Sequence, residues 1–255
     1  MQTASQLHPT TDPVDKIRVD LAAAYRLVAH FGLDDSIFTH ISARVADAED
    51  GTGRFLINPY GLRFDEVTAS NLVTVDLNGR IIDDPYGAGI NAAGFTIHSA
   101  VHAARHDVQC VLHTHTVAGV AVSCQAEGLL PLNQWSLQFH DRIAFHEYEG
   151  IALDLDERER LQADLGNRYA MILRNHGLLA CGRTIGEAFE ILQNLEHACV
   201  AQLAAQTGKE LIIPSDEVCQ HTADQFWGDG SKPFGERAWP AMRRMMDRYS
   251  PGYDA

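Results

Sequence analysis

No stretch of this 255-residue chain reaches the roughly 18 consecutive apolar residues that a membrane-spanning helix needs, so no segment is expected to cross a bilayer. The N-terminus has no basic start followed by an apolar run, so no signal peptide is expected. Positive charge is scarce. Against 34 Asp and Glu there are 20 Lys and Arg, a formal net charge of -14. Nucleic acid is therefore not expected as a partner, because a phosphate backbone attracts a basic face. An anionic substrate stays open, since the field inside a pocket is set locally. Cysteine is sparse and unpatterned: Cys110, Cys124, Cys181, Cys199 and Cys219 form an odd set without a Cys-x-x-Cys pair. They read as reduced, mostly buried thiols of a cytoplasmic protein. No internal repeat and no interdomain linker is visible. What is present is an ordinary globular composition, 45% hydrophobic and 21% charged, long enough for one large domain or two small ones.

The hydrophobic pattern suggests an α/β chain. Residues 1–12 read as a polar, disordered tail. Asp12 suits an N-cap and Pro13 a first helical position, and Ile17, Leu21, Ala24, Tyr25 and Val28 recur at helical spacing up to a stop at Gly32. A first strand region covers Phe38 to Val45 and a second Arg54 to Ile57, followed by the turn Asn58-Pro59-Tyr60-Gly61. Leu72–Asp76 and Arg80–Asp83 form a hairpin around Asn78-Gly79. A helix is expected from Phe95 to Ala104, a strand from Val108 to Leu112 and a small-residue helix from Val117 to Cys124. Then come a strand from Arg142 to His146, a charged helix from Asp156 to Leu165, and strands at Ala170–Leu173 and Leu178–Cys181. Thr184 caps a long helix reaching Gln206, with Glu187 expected to complete a capping box. Beyond Ile213 the chain is richer in Pro, Gly, Trp and charge, with one short helix near Arg243–Arg248. The simplest parse is a domain over 13–211, built as a mixed sheet with helices on both faces, and an extension over 212–255 that packs on the domain or on a neighbouring subunit.

Chemistry gathers at Val111-Leu112-His113-Thr114-His115. Residues i and i+2 of an extended chain point the same way, so His113 and His115 can share one divalent cation at about 2.0–2.1 Å each. Two ligands hold a metal weakly. The best third is His176 in Asn175-His176-Gly177, at the end of another apolar strand. Three neutral imidazoles with an open position describe a catalytic metal site better than a structural one. The alternative is three unrelated histidines. His98 and His102, spaced i, i+4 on a helix, are a second candidate metal pair, although Ser99 stands where the zincin motif carries Glu.

The order of elements, together with Thr39-His40-Ile41-Ser42-Ala43-Arg44, Ile57-Asn58-Pro59-Tyr60-Gly61, Gly94-Phe95-Thr96-Ile97-His98-Ser99, His113-Thr114-His115 and Asn175-His176-Gly177, resembles the class II aldolase/adducin superfamily over roughly Val14 to Leu211. The resemblance implies a three-layer αβα sandwich with a mixed, mainly antiparallel central sheet. It also implies His113, His115 and His176 as ligands of one divalent metal (Zn first, with Fe, Mn or Co as alternatives), and a homotetramer with active sites near subunit boundaries. It puts Tyr60, Gly94, His140 and Tyr148 near the substrate. Three departures stand out. The acid/base glutamate of the sugar-phosphate aldolases aligns with Gly94. The two phosphate-binding serines align with Ala92 and Ala93. The asparagine of the family's Gly-Asn-x-Ser turn is His40. The segment Asn91–Ala100 is closer to the adducin head domain, a cytoskeletal module.

These departures suggest a small, non-phosphorylated hydroxy, keto or hydroxy-aromatic acid as substrate. A metal that withdraws charge onto oxygen supports cleavage of a C–C bond beside a carbonyl. Retro-aldol cleavage also needs a base for the hydroxyl proton, whereas decarboxylation does not, so loss of the glutamate favours decarboxylation or an aldol reaction with another base. His40 is the first choice for moving the proton, because it replaces the family asparagine and histidine titrates near neutrality; a purely structural histidine is the alternative. Tyr148 is a second proton-moving candidate. Arg44 is a candidate for a bidentate pair with a substrate carboxylate, or for a structural salt bridge. Two rival functions stand beside the lyase: an Fe(II) oxygenase on the same fold, and a non-catalytic adducin-like assembly module.

Overall fold

A computed structural model describes residues 12–208 and 210–255. The proposed tail therefore lies outside the described residues except for Asp12, which is the N-cap of α1 (Pro13–His30): its carboxylate accepts from the Val14 amide at 2.8 Å. Eight strands follow in one sheet: β1 (His40–Val45), β2 (Arg54–Ile57), β3 (Val73–Asp76), β4 (Ile81–Asp83), β5 (Cys110–Thr114), β6 (Ile143–His146), β7 (Ala170–Leu173) and β8 (Gly177–Gly182). Their order across the sheet is β4-β3-β2-β1-β5-β8-β7-β6. Every pairing is antiparallel except β6 with β7. The sheet is thus mixed and mainly antiparallel.

Alternation along the strands builds two apolar faces. Ile41, Ala43, Leu112, Ile172, Leu178 and Ala180 pack under α1 and the long helix α6 (Ile185–Ala205). Val111, Met171, Leu179 and Cys181 pack under α2 (Ala92–Ala104) and α5 (Glu157–Leu165). Helices on both faces make three layers. Two short helices, α3 (Val117–Ser123) and α4 (Gln134–Leu137), pack beside α6; α7 (Asp216–Trp227) and α8 (Trp239–Tyr249) belong to the C-terminal extension.

The extension packs on its own domain. Trp239 sits against Gly186 and Phe189, the Arg243 guanidinium is 2.7 Å from the Asp20 carboxylate, and Tyr253 is buried. The helices α4 and α7 have no counterpart among the expected elements. α4 is a single turn capped by Asn133, and α7 buries only Cys219 and Ala223. α2 begins three residues earlier than its apolar spacing suggests, because the Asn91 side chain accepts from the Ala93 amide. The expected capping box at Thr184 forms only half. Thr184 Oγ1 accepts from the Glu187 amide, but the Glu187 carboxylate accepts instead from the Arg183 amide and guanidinium and from the Phe234 amide.

One buried hydroxyl fixes the start of β1. Tyr25 on α1 accepts from the amides of Ile41 at 2.9 Å and Asn58 at 3.0 Å, and is itself within reach of the Ile41 carbonyl and Asn58 Oδ1. Burial pushes its phenol pKa up, so the group stays neutral. Tyr25→Phe would strand two buried amide donors. It is expected to cost roughly 2–4 kcal/mol of stability, read from denaturant unfolding. A loss below about 0.5 kcal/mol would show that the hydroxyl does not hold the two strands.

Candidate metal centre

Three histidines meet where two strand ends lie side by side. His113 is the fourth residue of β5, and His115 follows the strand with its ring on the same side. His176 sits in the tight turn between β7 and β8. The sequence of that turn has a physical reason at each position. Asn175 adopts φ 55°, a left-handed conformation that Asn tolerates better than most side chains. Gly177 lies so close to β5 that a Cβ there would stand 2.3 Å from the Thr114 carbonyl oxygen. His176 between them is carried over the end of β5. Its Nε2 is 2.9 Å from His115 Nε2, which is 2.8 Å from His113 Nε2. Potential ligand atoms of all three lie within 4.8 Å of one another.

The partners of the other ring nitrogens decide what this cluster can hold. His113 Nδ1 is 3.0 Å from the Leu178 carbonyl oxygen, which can only accept, so Nδ1 carries the proton. His115 Nδ1 is 3.0 Å from Asp35 Oδ2, which imposes the same tautomer. Both Nε2 atoms of the neutral rings therefore point bare lone pairs at each other, an arrangement that repels unless a cation lies among them. A proton on His113 or His176 is disfavoured at neutral pH. Burial lowers the His113 pKa well below its ordinary value, with the neighbouring histidines adding to the shift. Burial, followed by His115, brings His176 down to about 4. A divalent metal fits the donor set, with Asp35 orienting His115 from behind as a carboxylate orients a metal-bound imidazole.

Two measurable consequences follow. Asp35→Ala should lower zinc affinity about 10- to 100-fold by competition titration, with the fold intact; unchanged affinity would remove Asp35 from the site. In the metal-free protein, the folded His113 and His176 refuse protons that the unfolded chain accepts. Stability should therefore fall as pH drops from the ordinary histidine value of 6.5 through about 4, and metal should oppose that loss. Thermal melts with and without zinc across that range check the sign.

His40 lies directly across from His113 in the β1–β5 register, and the two rings stack at 5.8 Å and 22°. It is buried, and neither ring nitrogen has a protein partner. Burial, then the neighbouring histidines, keep it neutral. Its ring occupies the volume that a side chain at position 94 would need: a Cβ on Gly94 would come within 2.5 Å of His40 Cδ2 and 2.7 Å of Nε2. The imidazole at 40 thus fits because position 94 carries no side chain.

His40, Tyr60, Tyr148 and the three clustered histidines line a single cavity of about 470 Å³. Gly94, expected near the substrate, does not line the cavity; it is buried behind the His40 ring. Tyr148 stands edge-on to His176 with ring centroids 6.2 Å apart. Two expected substrate contacts lie elsewhere in the chain. Arg44 donates to the His102 carbonyl and sits 3.6 Å from Asp47, so its guanidinium is spent at the C-terminal end of α2. His140 bonds Asp216 at 2.9 Å and faces a different cavity beside Phe139 and Phe145. The His98–His102 pair is not a metal site either. Ser42 Oγ lies between the rings, 2.6 Å from His98 Nδ1 and 2.8 Å from His102 Nε2, and no third ligand joins them among the described residues. Sequence reasoning missed Asp35, Phe38 and the Ile151–Leu153 segment, all of which line the cavity. No spacing rule connects a loop after α1 to a histidine 80 residues later.

The chain belongs to the family described as class II aldolase and adducin N-terminal domain, which matches residues 19–203. Within it, a Pseudomonas aeruginosa protein named as a candidate class 2 aldolase is 53% identical over 241 residues, spanning 92% of this chain and 91% of its own. Mouse alpha-adducin is 41% identical over 253 residues, spanning 93% of this chain but 34% of adducin. The structure of an L-fuculose 1-phosphate aldolase from Glaciozyma antarctica superposes with a TM-score of 0.81 at 28% identity, covering 96% of this chain and 97% of the aldolase. Among the described residues no helix is long and apolar enough to cross a membrane.

Proposed function

We propose that this protein is a divalent-metal-dependent lyase that cleaves a C–C bond beside a carbonyl, by decarboxylation or retro-aldol cleavage, in a small non-phosphorylated acid. The observation that carries the reading is the forced tautomer pair. His113 and His115 each have Nδ1 committed as a donor, leaving Nε2 lone pairs that converge with His176 on one point. Zinc is the first candidate metal, and iron, manganese and cobalt suit the same donors. When bound, such an ion supplies a Lewis acid that takes up the negative charge developing on a substrate oxygen.

The residues around it divide the remaining tasks. Asp35 holds the His115 tautomer. His40 presents uncommitted ring nitrogens next to His113, and a neutral imidazole there can take a proton from a hydroxyl or return one to carbon. Tyr148 brings a second hydroxyl to the His176 side. The lining of the cavity offers no Lys or Arg among the described residues, so a phosphate would find no counter-charge there. The five cysteines are free thiols, four of them buried, which agrees with a reducing cytoplasm. A homotetramer is the assembly we expect, with sites near subunit boundaries.

The direct test combines metal analysis of the purified protein with assays on 2-keto, hydroxy and hydroxy-aromatic acids. One equivalent of divalent metal and turnover of one of these classes is the expected result. A folded protein that takes up no divalent metal would end the reading. The similarity to alpha-adducin supports a second reading, a non-catalytic assembly module. That reading predicts self-association or partner binding indifferent to His113→Ala, and no turnover. Oxygen consumption that depends on added Fe(II) would instead make the protein an oxygenase.

A further inference from the structure

We propose, on the basis of that metal-lyase reading, that the cavity selects substrates with two adjacent oxygens at one end and an uncharged aryl or branched-alkyl body at the other. The division of the cavity carries the argument. Polar atoms gather at the histidine end, where the His40 ring nitrogens have no protein partner and several others are engaged. Asp35 bonds His115, and Asn91 caps α2 by accepting from the Ala93 amide at 3.0 Å. The rest of the wall is apolar: Phe38, Ile97, Ile151 and Leu153, with the rings of Tyr60 and Tyr148. A polyhydroxylated substrate would find partners only at the histidine end and at the Tyr60 and Tyr148 hydroxyls, and hydroxyls placed against Phe38, Ile97, Ile151 and Leu153 would lose the hydrogen bonds they make in water.

Phe38 is 49% exposed, Ile151 74% and Leu153 62%, so the single protomer leaves three large apolar side chains around one mouth open to a ligand or to a neighbouring subunit. A three-carbon keto acid would reach the histidines and leave most of a 470 Å³ cavity untouched. A ligand that also covers Ile151 and Leu153 removes apolar surface from water, a gain of about fourfold in affinity per buried methylene. The carboxylate of Asp35 beside the histidines disfavours a second anionic group on the ligand.

The experiment uses the full chain loaded with Co(II), whose visible spectrum reports ligand arrival independently of turnover, together with calorimetry. The probes are pyruvate, 2-oxobutanoate, 4-methyl-2-oxopentanoate and phenylpyruvate, with L-fuculose 1-phosphate as the phosphorylated comparison. Affinity should rise roughly 10- to 100-fold from pyruvate to the branched and aryl members. Ile151→Asp/Leu153→Asp should compress that ratio to a few-fold, and the cobalt spectrum checks that the site still forms. Phe38→Ser, on the opposite wall, should compress it independently. Equal affinity along the series, tighter binding of the sugar phosphate, or a slope unchanged in both variants would overturn the proposal while leaving the metal reading intact. A chain that takes up no cobalt overturns both.

Discussion

Replacing His113 by alanine is expected to abolish stoichiometric metal uptake and, with it, any lyase activity. His113 is the most buried of the three ligands and the only one held by a strand hydrogen-bond register on both sides, against His40 on β1 and Leu179 on β8. Loss of an outer-shell partner typically lowers metal affinity 10- to 100-fold, so loss of the ligand itself should exceed about 100-fold. The fold should survive, because alanine leaves a small cavity in a sheet position whose neighbours are already paired. The variant is expected to melt within about 3 kcal/mol of the metal-free parent. Competition titration with a chromophoric chelator and a chemical denaturation curve measure the two quantities separately. Equal metal affinity in parent and variant would mean that the convergence of Nε2 atoms serves packing alone. A variant that fails to fold would transfer the test to His176→Ala, whose ring is more exposed and lies outside the sheet.

How far the sequence anticipated this site depended on the range of the interactions. The i, i+2 spacing of His113 and His115 and the apolar strand before Asn175 are local features, and the structure brings the three rings together as the strand pattern suggests. The caps at Asp12 and Thr184 are equally local and equally visible. Contacts closed by the fold were hidden. The Arg183–Glu187 pair has the local i, i+4 spacing, but nothing near Glu187 signals that its carboxylate will also take the Phe234 amide, and nothing near Asp216 signals that it will take the imidazole of His140. Arg44 reads as a free cation on a strand until α2 lays the His102 carbonyl across it. The helix α7 lies in a stretch richer in Pro and Gly that masks it, although Val218, Cys219, Ala223, Phe226 and Trp227 recur along it at helical spacing.

The pair His40 and Gly94 is expected to show a change of sign in a double-mutant cycle. Glutamate at 94 is locally favourable. The position is the third residue of α2 behind the N-cap Asn91, where an acidic side chain gains from the helix dipole and from a capping-box contact, and where glycine costs up to about 1 kcal/mol against a better helix former. Against this stands the His40 ring, within 2.5 Å of where the new Cβ would be. Overpacking of that kind costs about 1–3 kcal/mol, so Gly94→Glu alone should destabilise the protein. His40→Asn removes the ring, and in that background the same Gly94→Glu change should become neutral or stabilising. The predicted coupling is therefore of the order of 1–3 kcal/mol, a size expected of residues in direct contact. The cycle also has a chemical reading. If His40 moves the proton, His40→Asn alone should lose lyase turnover while keeping metal, and adding Gly94→Glu, which places a carboxylate in the space the ring vacates, should recover part of the rate. Additive stabilities would show that the two positions do not compete for one space, and unchanged turnover in His40→Asn would remove the imidazole from the chemistry.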